Sequence, residues 1–455
     1  MTTLLVKNAS VIATMDVAST EITNGGMYAV DGFIQQVGPT ADLPETADEV
    51  LDLSGHVVIP GLVNTHHHLY QTMTRALPGA QNAGLFDWLK NLYPVWARLT
   101  PDHIRASTRT GLAELALSGC TTVADHLYLF PNGSRLDDEI EAAGDIGLRL
   151  HASRGSMSRG ESDGGLPPDS VVEEEAAILD DTARVAAAYD DPNPGSMVRV
   201  VVAPCSPFSV STELMAQSAE LARELGLHMH THLAETMDEE GFCLEVYGKR
   251  PLELAVDLGW AGADVWFAHS IFMHSAEVVE MGQSRTGVAH CPSSNMRLAS
   301  GIAPVRSYLA AGVPLSIGVD GSASNDGNHM LGEARQAMLL ARLDAAPSLS
   351  GGELMTARQA LRMATAGGAE VLGRGDIGSL EPNKAADFVA VAMDRIEYAG
   401  AQVDPVAALL FAAPARVDFT YVHGRPIVAR GELVTAEVAE LVEEHNRLAS
   451  ALLTG

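Results

Sequence analysis

GLVNTHHH (61–68) opens a series of short apolar runs, and the order of that series decides the fold. The others are CTTVADH (120–126), LRLHASR (148–154), VRVVVAPCS (198–206), LHMHTHLAE (227–235), VWFAHS (265–270), GVAHCPSS (287–294) and PLSIGVDGS (314–322). Their near-continuous hydrophobicity is the pattern of parallel strands covered by helices. Helix-like segments separate them. One is clearly punctuated: Thr100 can cap it, Pro101 suits its first turn and Gly119 can end it. Eight strand–helix units predict an α/β fold, a (β/α)8 TIM-type barrel spanning residues 59–376. Several runs end in His, Asp, Cys, Ser or Glu, and barrels of this kind carry their catalytic groups at the carboxyl ends of the strands.

Outward from the barrel, both chain ends read as short strands. Val6 to Met15 is strand-like, and Met27–Val30 and Phe33–Val37 flank Asp31-Gly32, a dipeptide suited to a tight hairpin. Towards the other end, Asp387–Met393 is strand-like and Phe419–Val428 breaks at His423-Gly424. Residues 1–58 and 377–455 are therefore expected to form one composite β-sandwich, with a final helix over Ala436–Leu453. The Gly- and Ser-rich stretch Arg154–Gly165 reads as a long flexible loop after the third strand, with a lid as its functional alternative.

Composition narrows the partners. Hydrophobic residues make up 47% of the 455-residue chain, enough for a large core. A formal net charge of -29 repels polyphosphate, which argues against nucleic acid and leaves a small heterocyclic base unpenalised. Cys120, Cys205, Cys243 and Cys291 form no CxxC pair, as expected of a reduced cytoplasmic protein. No apolar run reaches membrane-spanning length, and self-association is left open.

The chemistry is read from the strand ends. On a strand, alternate side chains share a face, so His66 and His68 point together into the barrel mouth while His67 points away. Two neutral imidazoles there are half of a divalent-metal site. In HTHLAE, His232 lies nearer the strand end than His230 and is the third candidate ligand, with His230 a deeper core histidine. Glu235 can curl over the mouth and shuttle a proton, or cap the following helix. His269 can bind water or a developing oxyanion, and Asp320 can ligate metal and take a proton from water.

HxH, HxxE, a later His and a final Asp resemble the amidohydrolase superfamily, in its cytosine, guanine and triazine deaminase branch. More narrowly, HHHLYQTMTRA, FDWLKNLYPVWARLTP, APCSPFSV, HTHLAETMDEE, HCPSSNMRLASG and GVDGSASND are similar to bacterial 8-oxoguanine deaminases, and the resemblance covers nearly the whole chain. It implies one divalent ion on His66, His68, His232 and Asp320, zinc first and Fe2+ as the alternative. It also implies proton transfer and water or substrate orientation by Glu235 and His269, with Asp320 accepting the water's proton. Gln71 is carried over as a ring contact. Cys205 stands where adenosine-type relatives have histidine, which suggests that a different base edge is read there. Trp88, Trp96 and Arg154 are further substrate-contact candidates, with packing or surface charge as the alternatives.

The reaction implied is hydrolytic deamination of an oxidised purine, 8-oxoguanine to urate and ammonia. Isocytosine, guanine or s-triazine deamination, triazine dechlorination and a non-catalytic scaffold are the rivals. VRVVVAPCS has no lysine to carry a second metal, and Pro204-Cys205-Ser206-Pro207-Phe208 lacks the PCxxC of the other zinc deaminase class.

Overall fold

The computed structural model describes residues 1–344, 354–412 and 414–454. The eight predicted runs become the eight strands of a closed barrel. In chain order these are Leu62–His67, Cys120–Leu127, Arg149–Ser156, Val198–Pro204, His228–Leu233, Val265–His269, Gly287–His290 and Leu315–Ile317. Every neighbouring pair is parallel. The eighth strand has only three residues and closes on the first through Ile317 and Asn64. Side-chain and main-chain bonds extend that short ladder upward. Asn64 Oδ1 accepts from the Val319 amide at 3.0 Å, and the Asp320 amide donates to the His66 carbonyl at 3.0 Å. Asp320 is thus pinned beside His66 after the regular strand has ended.

The helix Pro101–Leu117 follows its punctuation. Thr100 is the N-cap, closing a reciprocal box with His103, and Gly119 adopts a φ of +94° just beyond the end. The core includes fully buried Trp96, Trp260 and Trp266.

Both chain ends share one nine-stranded sheet. Its strands run from Thr3–Ala13 to His56–Pro60 and from Phe388–Ala392 to Glu432–Leu433. His56–Pro60 and Phe388–Ala392 pair antiparallel and join the two ends. Glu21–Val30 and Phe33–Pro39 form the expected hairpin, with positive φ at both Asp31 and Gly32. His423 and Gly424 repeat this turn between Phe419–Val422 and Arg425–Ala429. The two turns touch, Phe33 meeting the His423 ring edge-on at 4.8 Å. The final helix is Val438–Thr454, and it packs on Pro101–Leu117.

The stretch after the third strand is more closely tied than its composition suggests. The strand runs on to Ser156, and the amides of Ser158 and Arg159 both donate to the Ser209 carbonyl. Among the described residues, no helix is long and apolar enough to cross a membrane.

Candidate active site

Hydrogen bonds fix the tautomers at the barrel mouth. His68 Nδ1 donates to the His126 carbonyl at 2.7 Å, and His232 Nδ1 donates to the Cys205 carbonyl at 2.7 Å. His230 Nδ1 donates to the Trp266 carbonyl at 3.0 Å, so its Nε2 accepts from His66 Nδ1 at 2.8 Å. In all three outer histidines the proton is therefore on Nδ1, and Nε2 offers a lone pair. Burial, the dominant influence, pushes all three imidazoles below the ordinary histidine pKa and keeps them neutral.

These lone pairs converge. His68 Nε2 and His232 Nε2 are 3.1 Å apart, and Asp320 Oδ1 lies 3.3 Å from His66 Nε2 and 3.4 Å from His68 Nε2. Four acceptors face one another in a buried space with no proton between the two imidazoles. Such a set repels itself unless a cation sits among it, and three imidazoles with one carboxylate suit zinc or another late divalent ion. The structure thus brings together His66, His68, His232 and Asp320. His67 points away and bonds Asn328 Oδ1 at 3.0 Å. His230, read as a core histidine, proves to be the group that orients His66.

The proton-handling groups stand over this cluster. His269 Nε2 is 3.7 Å from Glu235 Oε2 and 3.8 Å from Asp320 Oδ2. Its Nδ1 donates to Asn295 Oδ1 at 2.9 Å. Burial works against charge on His269, but the two carboxylates outweigh it and raise its pKa. Burial is also the main force on Glu235, pushing its pKa to about 7. The capping alternative for Glu235 is met by other residues. Thr236 caps the helix Met237–Tyr247, and Glu239 accepts from the amides of Ala234 and Glu235 at 2.8 Å.

The backbone is strained where these side chains leave the strands. Ala234, His269, Ser270 and Asp320 all have positive φ, an arrangement costing about 1–3 kcal/mol at each non-glycine residue. Gly321 is needed for a different reason, since a Cβ there would lie 2.0 Å from Gln71 Oε1.

Above the cluster is a cavity whose lining includes the facing atoms of His68, His232 and Asp320. Gln71, Trp88, Cys205, Glu235 and His269 line it. The Trp88 indole nitrogen donates to the Ala323 carbonyl at 3.0 Å, so the ring presents only its apolar surface. Burial pushes the Cys205 thiol up to about 12, keeping it protonated. Arg154 and Trp96 are not brought to this cavity. Arg154 ion-pairs with Glu173 and Asp181 and lies 4.1 Å over the Phe130 ring, while the Trp96 indole nitrogen donates to Thr74 Oγ1.

Sequence reasoning passed over Tyr93, Tyr128, Phe208, Leu298 and Ser324, all lining residues, and also Asn295. Ser324 Oγ donates to Asp320 Oδ2 at 3.1 Å. Tyr128 follows directly on the second barrel strand, two residues after His126, and that parity was the available signal. Tyr93 and Asn295 sit on the helices Leu85–Trp96 and Pro292–Arg297, and Phe208, Leu298 and Ser324 on the connecting segments between regular elements.

Residues 57–427 match the amidohydrolase family. The chain belongs to that family. Among amidohydrolases, it is 47% identical to an 8-oxoguanine deaminase of Pseudomonas aeruginosa, over 95% of each chain. It is 37% identical to a hydroxydechloroatrazine ethylaminohydrolase of a Pseudomonas species, covering 97% of this chain and 94% of that one. The atrazine chlorohydrolase TrzN of Arthrobacter aurescens, solved in complex with zinc, superposes with a TM-score of 0.94 at 33% identity, over 98% of this chain and 100% of that one.

Proposed function

We propose that this amidohydrolase hydrolytically deaminates an oxidised purine base, with 8-oxoguanine as its substrate and one zinc ion on His66, His68, His232 and Asp320. The supporting observation is a buried Glu235, its pKa pushed up to about 7 by burial, that lines the cavity together with His68, His232 and Asp320 and lies 3.7 Å from His269. The likeness to the 8-oxoguanine deaminase supports the choice of base. Leu85, Leu89, Phe208 and Leu298 give the cavity apolar walls, and among the described residues no Arg or Lys lines it. That suits an uncharged ring and disfavours a nucleotide phosphate.

The cation would supply the Lewis acidity that makes water a nucleophile near neutral pH. Asp320 takes the water's proton, and oxygen adds to the ring carbon bearing the exocyclic amine. Glu235 gives its proton to the adjacent ring nitrogen. Asp320 then returns its proton to the amine, which leaves as ammonia. The hydroxyl proton restores Glu235 as the new carbonyl forms. His269, between the two carboxylates, orients the oxygen. Gln71 and Cys205 present neutral polar groups to the base edge. In this reading the barrel (59–376) is the catalytic domain, and residues 1–58 with 377–455 form a second unit beneath it.

The test is ammonia release from 8-oxoguanine, guanine, isocytosine and amino-s-triazines, with chloride release from a chlorinated triazine as a separate arm. The highest kcat/KM is expected for 8-oxoguanine. Faster turnover of a triazine, by either readout, overturns the substrate assignment.

A further inference from the structure

The second barrel strand carries, one residue before its end, a histidine that this chemistry leaves idle. His126 is buried, and its Nε2 lies 2.8 Å from the Ala203 carbonyl, which can only accept. Nε2 therefore carries the ring proton, and Nδ1 holds a lone pair that no donor reaches. A buried acceptor left unpaired is costly. His230, in the same cluster, shows what a supporting imidazole looks like: one nitrogen donates, the other accepts, and both are satisfied.

The unpaired ring belongs to the metal-binding cluster. The His126 ring centre is 5.0 Å from that of His232, 5.4 Å from His68 and 6.1 Å from His66. One ring nitrogen from each of His66, His68, His126 and His232 can be chosen so that all lie within 4.8 Å of one another. His66, His269 and Asp320 meet the same criterion as a separate trio. The mouth is thus richer in donors than one tetrahedral ion requires.

We infer that His126 is a fourth imidazole donor to the ion that His66, His68 and His232 would hold beside Asp320. This rests on the reading that the cluster holds a divalent cation. Four neutral imidazoles favour late first-row ions over magnesium or calcium.

The direct test counts imidazoles. Metal-free protein is reloaded with one equivalent of copper(II), the tightest binder of the divalent series, and the coordinated imidazoles are counted by pulsed electron paramagnetic resonance. Four are expected in the unaltered chain and three in His126→Phe. Three in the unaltered chain overturns the inference and leaves the metal reading standing, whereas failure to bind copper removes both. Zinc retention against a competing chelator gives a second measurement. His126→Phe should weaken zinc binding at least about tenfold. Asp320→Ala should keep its zinc, and Asp320→Ala/His126→Phe should lose it. Equal loss from the single and double variants overturns the inference.

Discussion

The barrel buries polar clusters at both ends and completes them differently. At the floor, Arg149 is fully enclosed and donates from Nε to Asp387 Oδ2 at 2.7 Å and from Nη2 to Oδ1 at 3.1 Å. Its remaining nitrogen reaches the carbonyls of Gly195 and Ser196. Arg374 and Asp376 repeat the pattern nearby. Donor meets acceptor throughout, and the pair locks the third barrel strand to the sheet made from the chain ends. At the mouth, acceptor meets acceptor, the backbone is strained at His269 and Asp320, and completion needs something from outside. The floor is a joint and the mouth is a receptor, although both are buried and charged.

Perturbing the mouth should abolish chemistry and spare the fold. Glu235→Gln keeps the shape of the side chain but cannot donate and recover a proton. Turnover should fall about a hundredfold to ten-thousandfold, with zinc content and melting temperature unchanged. Kinetics on the fully metallated variant check this, and normal turnover would remove Glu235 from the mechanism.

Perturbing the floor should do the reverse. Arg149→Met strands the Asp387 carboxylate in the interior and should destabilise the chain by about 3–5 kcal/mol. Arg149→Met/Asp387→Asn removes the stranded charge while still accepting from the His423 amide, and should recover part of that loss. Denaturant titration measures both, and kcat per folded molecule should stay at its starting value. If kcat drops with stability, the two ends are not the independent clusters described here.

Metal removal tests the incompleteness of the mouth directly. Without a cation the convergent lone pairs repel, so chelation should lower the melting temperature and zinc should restore it. Binding to the native state alone stabilises by about 2.7 kcal/mol at a hundredfold excess over Kd. The same increment is expected in the Arg149→Met background, since distant sites add. A melting temperature indifferent to zinc would show that the cluster satisfies itself.

The two ends also differed in how far the sequence revealed them. The mouth was legible because its candidate ligands stand at strand ends in runs whose period is unmistakable: His66 and His68 by parity, His232 and Asp320 by position. The floor was invisible. Arg149 and Asp387 are 238 residues apart, and nothing local marks either as a partner. Arg154 misled for a related reason. It ends a strand run, yet its guanidinium is claimed by Glu173 and Asp181, acids whose proximity only the fold creates. Asn295 escaped notice because its role, accepting from His269 Nδ1, depends on the short helix Pro292–Arg297 that follows the seventh strand.

Between mouth and floor lies a case that sharpens the contrast. Asp125 and Glu139 are both buried and close enough to perturb each other, and neither Glu139 oxygen nor Asp125 Oδ2 finds a donor. Two carboxyls can bond only by sharing a proton. Burial is the main cause that raises both pKa values, and for Glu139 the neighbouring Asp125 carboxyl adds to it. The native chain therefore holds a proton here that the unfolded chain releases near pH 4. Stability from the pair is complete below that pH and declines as pH rises towards the native values. Glu139→Gln replaces the shared proton with a permanent amide donor to Asp125. It should leave activity unchanged and melt at a temperature that falls less than the unaltered chain's between about pH 5 and about pH 8. Asp125 Oδ1 also accepts from the Leu69 amide at 2.6 Å, next to His68. An equal slope in both proteins would mean that the acid pair ionises freely and that the carboxyl cluster behind the mouth, like the mouth itself, draws its compensation from elsewhere.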